Sequence, residues 1–194
     1  MIIIGYVNNG VTYMATDTRL VDSDRKHNEV CEYNFKLRKL DNGIIYGVSQ
    51  NKYIRQLLKM HEDMFTLDEH ENLTAKHVAM GILPALYFTL KEANQLDNER
   101  GEKPTFPAEI LIGYKGRLFK IAWNFCVTIC ETYQVVGGFV NSALATLSKI
   151  DSNKDINEQL VAAIRGCKKV TEYIGGPYLT IDTDKMEYKL WEEE

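Results

Sequence analysis

The sequence predicts a single α+β domain spanning residues 1–194. Three observations predict it. An Asn-Gly turn separates two β-rich runs at the start of the chain. Strand-like and helix-like blocks then alternate in the order strands, two helices, strands, two helices, strands. No internal repeat, heptad run or low-complexity segment interrupts that order. A chain of this length buries well over half of its unfolded surface, enough for a substantial core.

The first two strands are Met1-Ile-Ile-Ile-Gly-Tyr-Val7 and Val11-Thr-Tyr-Met-Ala-Thr16, joined by Asn8-Asn9-Gly10. Both central turn residues of such a hairpin need positive φ, which Asn and Gly adopt at least cost. Ile2 and Ile4 should share one face. Residues 34–40 lead through Asp41-Asn42-Gly43 into another apolar run at 44–49. Residues 50–64 place Tyr53 or Ile54, Leu57, Leu58, His61 and Met64 along a helical face, with His61 read as a half-buried packing residue. A second helix is expected from Thr74, a plausible N-cap, to about Asn94, with Val78, Ile82, Leu86 and Leu90 at helical spacing and a kink at Pro84. The charged stretch 97–104 reads as an exposed loop.

A hairpin follows at 108–114 and 117–122, turned by Lys115-Gly116, and then a strand at 125–129. Two helices are expected at 141–149 and 157–171, and final strands at 178–181 and 185–190. The four cysteines, Cys31, Cys126, Cys130 and Cys167, lack CxxC spacing, and the four histidines form neither HxxxH nor HExxH. Neither a metal site nor a cofactor is therefore expected. Cys126 and Cys130 would lie on one face of a strand, where free cysteine packs as a small hydrophobe.

Composition argues against several function classes. Hydrophobic residues make up 45% and charged residues 26%, an ordinary globular balance, and the formal charge of −4 gives no electrostatic case for nucleic acid. No apolar run approaches the roughly 20 residues that span a bilayer, and no basic segment precedes an apolar core and cleavage site. The expectation is a cytoplasmic protein without a leader or membrane anchor.

The order of Asp17 at the end of the second strand, Lys36 soon after, and an apolar strand ending Gly47-Val-Ser49-Gln50 resembles the N-terminal third of proteasome β subunits and the HslV peptidase. These belong to the N-terminal nucleophile (Ntn) hydrolases. The resemblance extends weakly to the end of the chain and implies a four-layer αββα sandwich. In that family residue 1 is a threonine whose hydroxyl attacks the peptide carbonyl while its own α-amino group acts as base. An aspartate and a lysine tune the electrostatics. Asp17 and Lys36 match those roles, but residue 1 is Met1, whose thioether has no proton to lose. Because Ile2 is bulky, Met1 is expected to escape removal, and trimming would only expose isoleucine.

The resemblance assigns the oxyanion turn to Gly47, Ser49 and Gln50, with Gln50 where a glycine is usual. Val136-Gly137-Gly138-Phe139 resembles the glycine-serine turn before the third helix but has no serine at the expected place. Thr171 and Ile174 occupy positions where catalytic members carry an aspartate and a serine before two glycines. The bland reading of the retained residues is structural: Asp17 ends a strand, Lys36 pairs with it, and the glycines serve turns. Three function classes stay open. The first is a self-assembling homo-oligomer, as rings or stacked rings, without peptidase activity. The second is an active amidohydrolase with an unrecognised nucleophile such as Ser49 or a nearby threonine. The third is a module binding a peptide or small ligand in the cleft.

Overall fold

The computed structural model describes residues 1–22, 25–28, 35–97 and 103–193. Cys31, the start of the 34–40 segment and most of the expected 97–104 loop lie outside them. The first sheet contains β1 (Ile2–Asn8), β2 (Val11–Asp17), β10 (Tyr133–Gly137), β11 (Tyr178–Asp182) and β12 (Lys189–Trp191), in the order β10-β1-β2-β11-β12. The second contains β5 (Leu37–Lys39), β6 (Ile45–Val48), β7 (Ile110–Tyr114), β8 (Arg117–Ile121) and β9 (Val127–Cys130), in sequence order. All neighbouring strands are antiparallel. A separate two-stranded ribbon pairs β3 (Arg19–Asp22) with β4 (Arg25–Asn28).

The strand alternation builds the layers. Ile2, Ile4 and Tyr6 turn outward against α4 (Val140–Leu147) and α5 (Ile156–Lys168), where Ala143, Leu147, Leu160 and Ile164 meet them. Ile3 turns the other way, with Met14, Leu37, Leu111 and Leu118, and fills the space between the sheets. On the far side of the second sheet, Tyr46, Ile110 and Ile112 pack under α1 (Lys52–Met60) and α3 (Leu83–Glu92) through Ile54, Leu58, Leu86 and Leu90. The result is the expected αββα sandwich. Each fully buried isoleucine of β1 contributes about 1.5–3 kcal/mol relative to exposure.

The first hairpin turns at Asn9 (φ 48°) and Gly10 (φ 77°), as expected, and the 114–117 hairpin turns at Lys115 (φ 39°) and Gly116 (φ 75°). The two turns stack: a Cβ on Gly116 would stand 2.7 Å from Gly10 Cα. Thr74 caps the second helical segment, its hydroxyl accepting from His77 N–H at 3.1 Å. Pro84 is absorbed by a π-helical stretch over Val78–Ile82 that precedes α3, putting the proline in a first turn where its missing N–H leaves no hydrogen bond unmade.

Several expectations are corrected. The first helix stops at Met60; His61 caps it, exposed rather than half buried, and a 3₁₀ turn, Glu62–Met64, returns Met64 to the core. Phe125 adopts φ 61°, so β9 begins only at Val127, and Cys126 is exposed in the turn while Cys130 is buried. They do not share a strand face. The β3–β4 ribbon and β10 were not anticipated, and α5 ends at Lys168, before Thr171. No helix among the described residues is long and apolar enough to cross a membrane.

Candidate functional site

The site forms where β1 begins, β2 ends and the segment after α5 passes beside them. Asp17 closes β2 and is fully buried. Its Oδ1 accepts the Ile2 backbone N–H at 2.9 Å, and its Oδ2 lies 3.0 Å from Lys36 Nζ. Lys36, equally buried, donates to Arg19 O at 2.7 Å. Thr16 adds a hydrogen bond to Ile2 O at 2.7 Å, so both sides of the Ile2 peptide are held from β2. Asp17 and Lys36, expected from sequence order to share a cleft, are in direct contact beneath residue 1.

Met1 is held by its backbone. Gly138 N–H donates to Met1 O at 2.9 Å, and the α-amino group reaches Tyr173 O at 3.5 Å. Burial lowers the pKa of this amine below its ordinary value of 8.0; Asp17 opposes the shift and Lys36 reinforces it. Met1 lines an open cleft of about 360 Å³, together with Arg19, Leu20, Gln50, Gly138 and Tyr173.

Gly47, Ser49 and Gln50, assigned by the resemblance to the oxyanion turn, stand in three different environments. Gly47 lies inside β6, opposite Leu37 and Leu111, and a Cβ there would stand 2.8 Å from Leu37 Cδ2 and 3.0 Å from Ile3 Cγ2 of the facing sheet, so its lack of a side chain serves sheet-to-sheet packing. Ser49 is fully buried and tied to Glu109: its N–H donates to Glu109 O at 2.9 Å, and its hydroxyl accepts Glu109 N–H at 3.1 Å. Gln50 is the residue that turns into the cleft wall, with φ 68°. That left-handed backbone explains why glycine suits the position. Among the described residues no hydrogen bond uses the Gln50 backbone N–H.

The two remaining family positions have taken structural roles. Thr171 Oγ1 accepts the Tyr173 N–H at 3.2 Å in a local turn. Ile174 is fully buried in the cluster that contains Ile2. Arg19, which the sequence reading did not single out, runs under Gly175, where a Cβ would lie 2.2 Å from the guanidinium carbon; it donates to Glu172 O at 3.1 Å and lies 3.6 Å from Glu193. Glu109 was also missed. It accepts the Gly137 N–H at 3.3 Å and pairs with Lys120 at 2.5 Å, tying the second sheet to β10 beside Met1. Neither had a sequence signal, because each acts through partners far away in the chain.

No family model matches this sequence, and no curated protein matches it. The likeness is one of structure. The chain superposes on BPH from Thiobacillus denitrificans, solved in complex with epoxomicin, with TM-score 0.72 and 14% identity, covering 94% of this chain and 97% of that one. Anbu, an ancestral β-subunit from Yersinia bercovieri, gives TM-score 0.69 at 11% identity over 98% of this chain and 86% of its own. The eukaryotic HslV from Trypanosoma brucei gives 0.62 at 14% identity, covering 94% and 98%. The fold is that of the proteasome β subunits and HslV among the Ntn hydrolases.

Proposed function

We propose that this chain is a one-domain, self-assembling subunit with the proteasome and HslV fold that has no peptidase activity. The observation that carries the reading is that Met1, whose side chain has nothing to acylate, lies beside the Asp17–Lys36 pair, where the resemblance expects the nucleophile. Ile174, buried in apolar contacts, offers no hydroxyl to the site, and Ser49 Oγ is buried against Glu109, which disfavours the alternative of an unrecognised serine nucleophile. Loss of the nucleophile alone reduces an acyl-transfer enzyme to the small residual rate of its binding and oxyanion groups.

Assembly is supported by the outer helical layer. Tyr53 and Met60 on α1, Met80 in the π-helical stretch and Phe88 on α3 are at least half exposed, more large apolar surface than a solvated helix pair carries by chance. We take the occupant to be a second copy of the chain, in the cytoplasm, with no cofactor, nucleic acid or membrane involved. The cleft beside Met1 leaves room for a peptide ligand as a second role.

The test has three readings on native protein. Intact mass defines residue 1, fluorogenic peptides measure turnover, and sedimentation velocity at micromolar concentration measures assembly. The expected results are an N-terminal Met1, background turnover, no adduct with electrophiles that trap N-terminal threonine, and a sedimenting species larger than the monomer. Robust turnover abolished by changing Asp17 or Lys36 would overturn the reading in favour of an active hydrolase. A monomer alone would remove the assembly half of it.

A further inference from the structure

We propose that a pocket between α3 and the turn before β9 binds small apolar carboxylic acids, with Lys103 as the partner of the carboxylate. The cavity has a volume of about 330 Å³ and is lined by Pro84, Tyr87 and Phe88 from α3 and by Lys103, Asn124 and Phe125 from the loops facing it. That size lies at the lower end of the roughly 300–1,000 Å³ of small-molecule sites, room for one ring and a short chain. The pocket shares no lining residue with the cleft beside Met1, so the proposal does not depend on what residue 1 can do.

The walls are built before any ligand arrives. Tyr87 packs edge-on against Phe88 and Phe125, with ring centroids 5.8 and 5.6 Å apart, and Phe125 leans on the buried Phe106 at 4.8 Å. Phe125 holds φ 61°, a region that a bulky residue enters only where its surroundings fix it. Three backbone hydrogen bonds of 2.9 Å fix it here: Phe125 N–H to Ala122 O, Ala122 N–H to Cys126 O, and Phe106 N–H to Trp123 O. Rings arranged in this way take an apolar body, preferentially another ring.

The polar groups decide the charge of the occupant. Aromatic rings alone would also suit a quaternary ammonium, but Lys103 turns that preference round. It is the one charged residue lining the cavity, and among the described residues no carboxylate pairs with it. Its flexible four-carbon stem lets the ammonium reach a ligand seated on the rings beside it. Asn124 Oδ1 accepts the Cys126 N–H at 3.2 Å, which leaves the amide N–H groups of that side chain as its unengaged donors. A pocket that supplies a cation and donors, and no carboxylate, is complementary to a negatively charged acceptor. The apolar walls exclude water from one side of that pairing and strengthen it relative to a fully exposed one.

The probes are phenylbutanoate, phenylbutanol and phenylbutylamine, each with the phenyl group at the end of its chain, so that one apolar body carries three different heads. They are titrated onto the full chain at neutral pH and low salt and followed by saturation-transfer NMR of the ligand, which reads monomer and assembled protein alike. The expected order is acid over alcohol by several-fold, with the amine weakest. Salt at about 1 M should shrink the acid's advantage. Lys103→Met should abolish the difference between acid and alcohol while the alcohol binds as before. Phe88→Ala, at an exposed position, should fold, as checked by circular dichroism, and weaken all three. An acid no tighter than the alcohol, an advantage that survives Lys103→Met, or an amine that binds tightest would overturn the proposal. So would the absence of binding by all three, which is the result if a second copy seated over Phe88 closes the pocket.

Discussion

Replacing Lys36 by methionine leaves Asp17 with no side-chain cation at its Oδ2, at a position from which solvent is wholly excluded. Removing one partner of a buried ion pair costs about 3–5 kcal/mol, because the surviving charge stays desolvated. Here the retained Ile2 N–H at 2.9 Å and the nearby Met1 amine soften the loss, so the expected value is the lower end, about 3 kcal/mol. For a chain of 194 residues each kcal/mol moves the midpoint by roughly 2–4 °C, which makes the expected fall roughly 6–12 °C. The assay is thermal unfolding by circular dichroism at one fixed protein concentration, since assembly would otherwise move the midpoint. Adding Asp17→Asn should recover most of the loss, because asparagine keeps an oxygen for the Ile2 N–H while removing the buried charge. A Lys36→Met midpoint within about 2 °C of the parent, or a double variant no more stable than the single one, would refute the view that the pair is a mutually dependent buried unit.

Ile174→Ser, which restores a family hydroxyl, should destabilise by about 3–4 kcal/mol in urea unfolding, since it opens a cavity in a fully buried cluster and adds an unpartnered polar group, and it should not raise peptide turnover. Gln50→Gly should stabilise by about 0.5–1 kcal/mol, because relief of a left-handed non-glycine backbone outweighs the added chain entropy. Glu193, held below its ordinary pKa of 4.5 chiefly by its hydrogen bond from Lys168, with Gly176 N–H and Arg19 also contributing, stabilises the segment after α5 above that pH. The carboxylate takes up a proton in the fold only below the unfolded value, so this contribution is lost as pH falls below 4.5. Hydrogen exchange of residues 172–177 should therefore accelerate selectively in that range, and Glu193→Gln should abolish the pH dependence.

Local signals in the sequence carried the layered fold. Asn9-Gly10 specified a turn whose φ values only a few residues accept, and Thr74 with Val78, Ile82, Leu86 and Leu90 specified a capped helix and its buried face. What escaped were features settled between distant segments. Strand β10, Tyr133–Gly137, is too short to announce itself and exists because β1 pairs with it. The resemblance assigned Gly47, Ser49 and Gln50 to one turn, with Gln50 where a glycine is usual, but it could not show that Gln50 has the left-handed backbone, because a non-glycine side chain does not advertise positive φ. Cys126 was placed on a strand because the apolar run continues through it, but the turn at Phe125 starts the strand two residues later, at Val127. Asp17 and Lys36 were legible by order along the chain. Arg19 and Glu109 were not, since their contacts reach Glu172 and Gly137.

The pairing of Asp17 with Lys36 beneath Met1 has an explanation in stability alone. Either residue changed alone leaves a buried charge at a penalty of about 3–5 kcal/mol, a sizeable share of the 5–15 kcal/mol that keeps a domain folded. Met1 carries no such constraint. Its backbone makes the contacts that hold the site, through its carbonyl and amine, and no hydrogen bond among the described residues depends on its side chain, so that side chain can be exchanged at small structural cost. Gln50 tolerates its strained backbone for about 1 kcal/mol, and Ile174 gains by filling an apolar cluster. The positions that match the resemblance, Asp17 and Lys36, are therefore those whose single replacement is most destabilising, and the positions that depart from it, Met1, Gln50 and Ile174, are those whose side chains are exchanged cheaply or favourably.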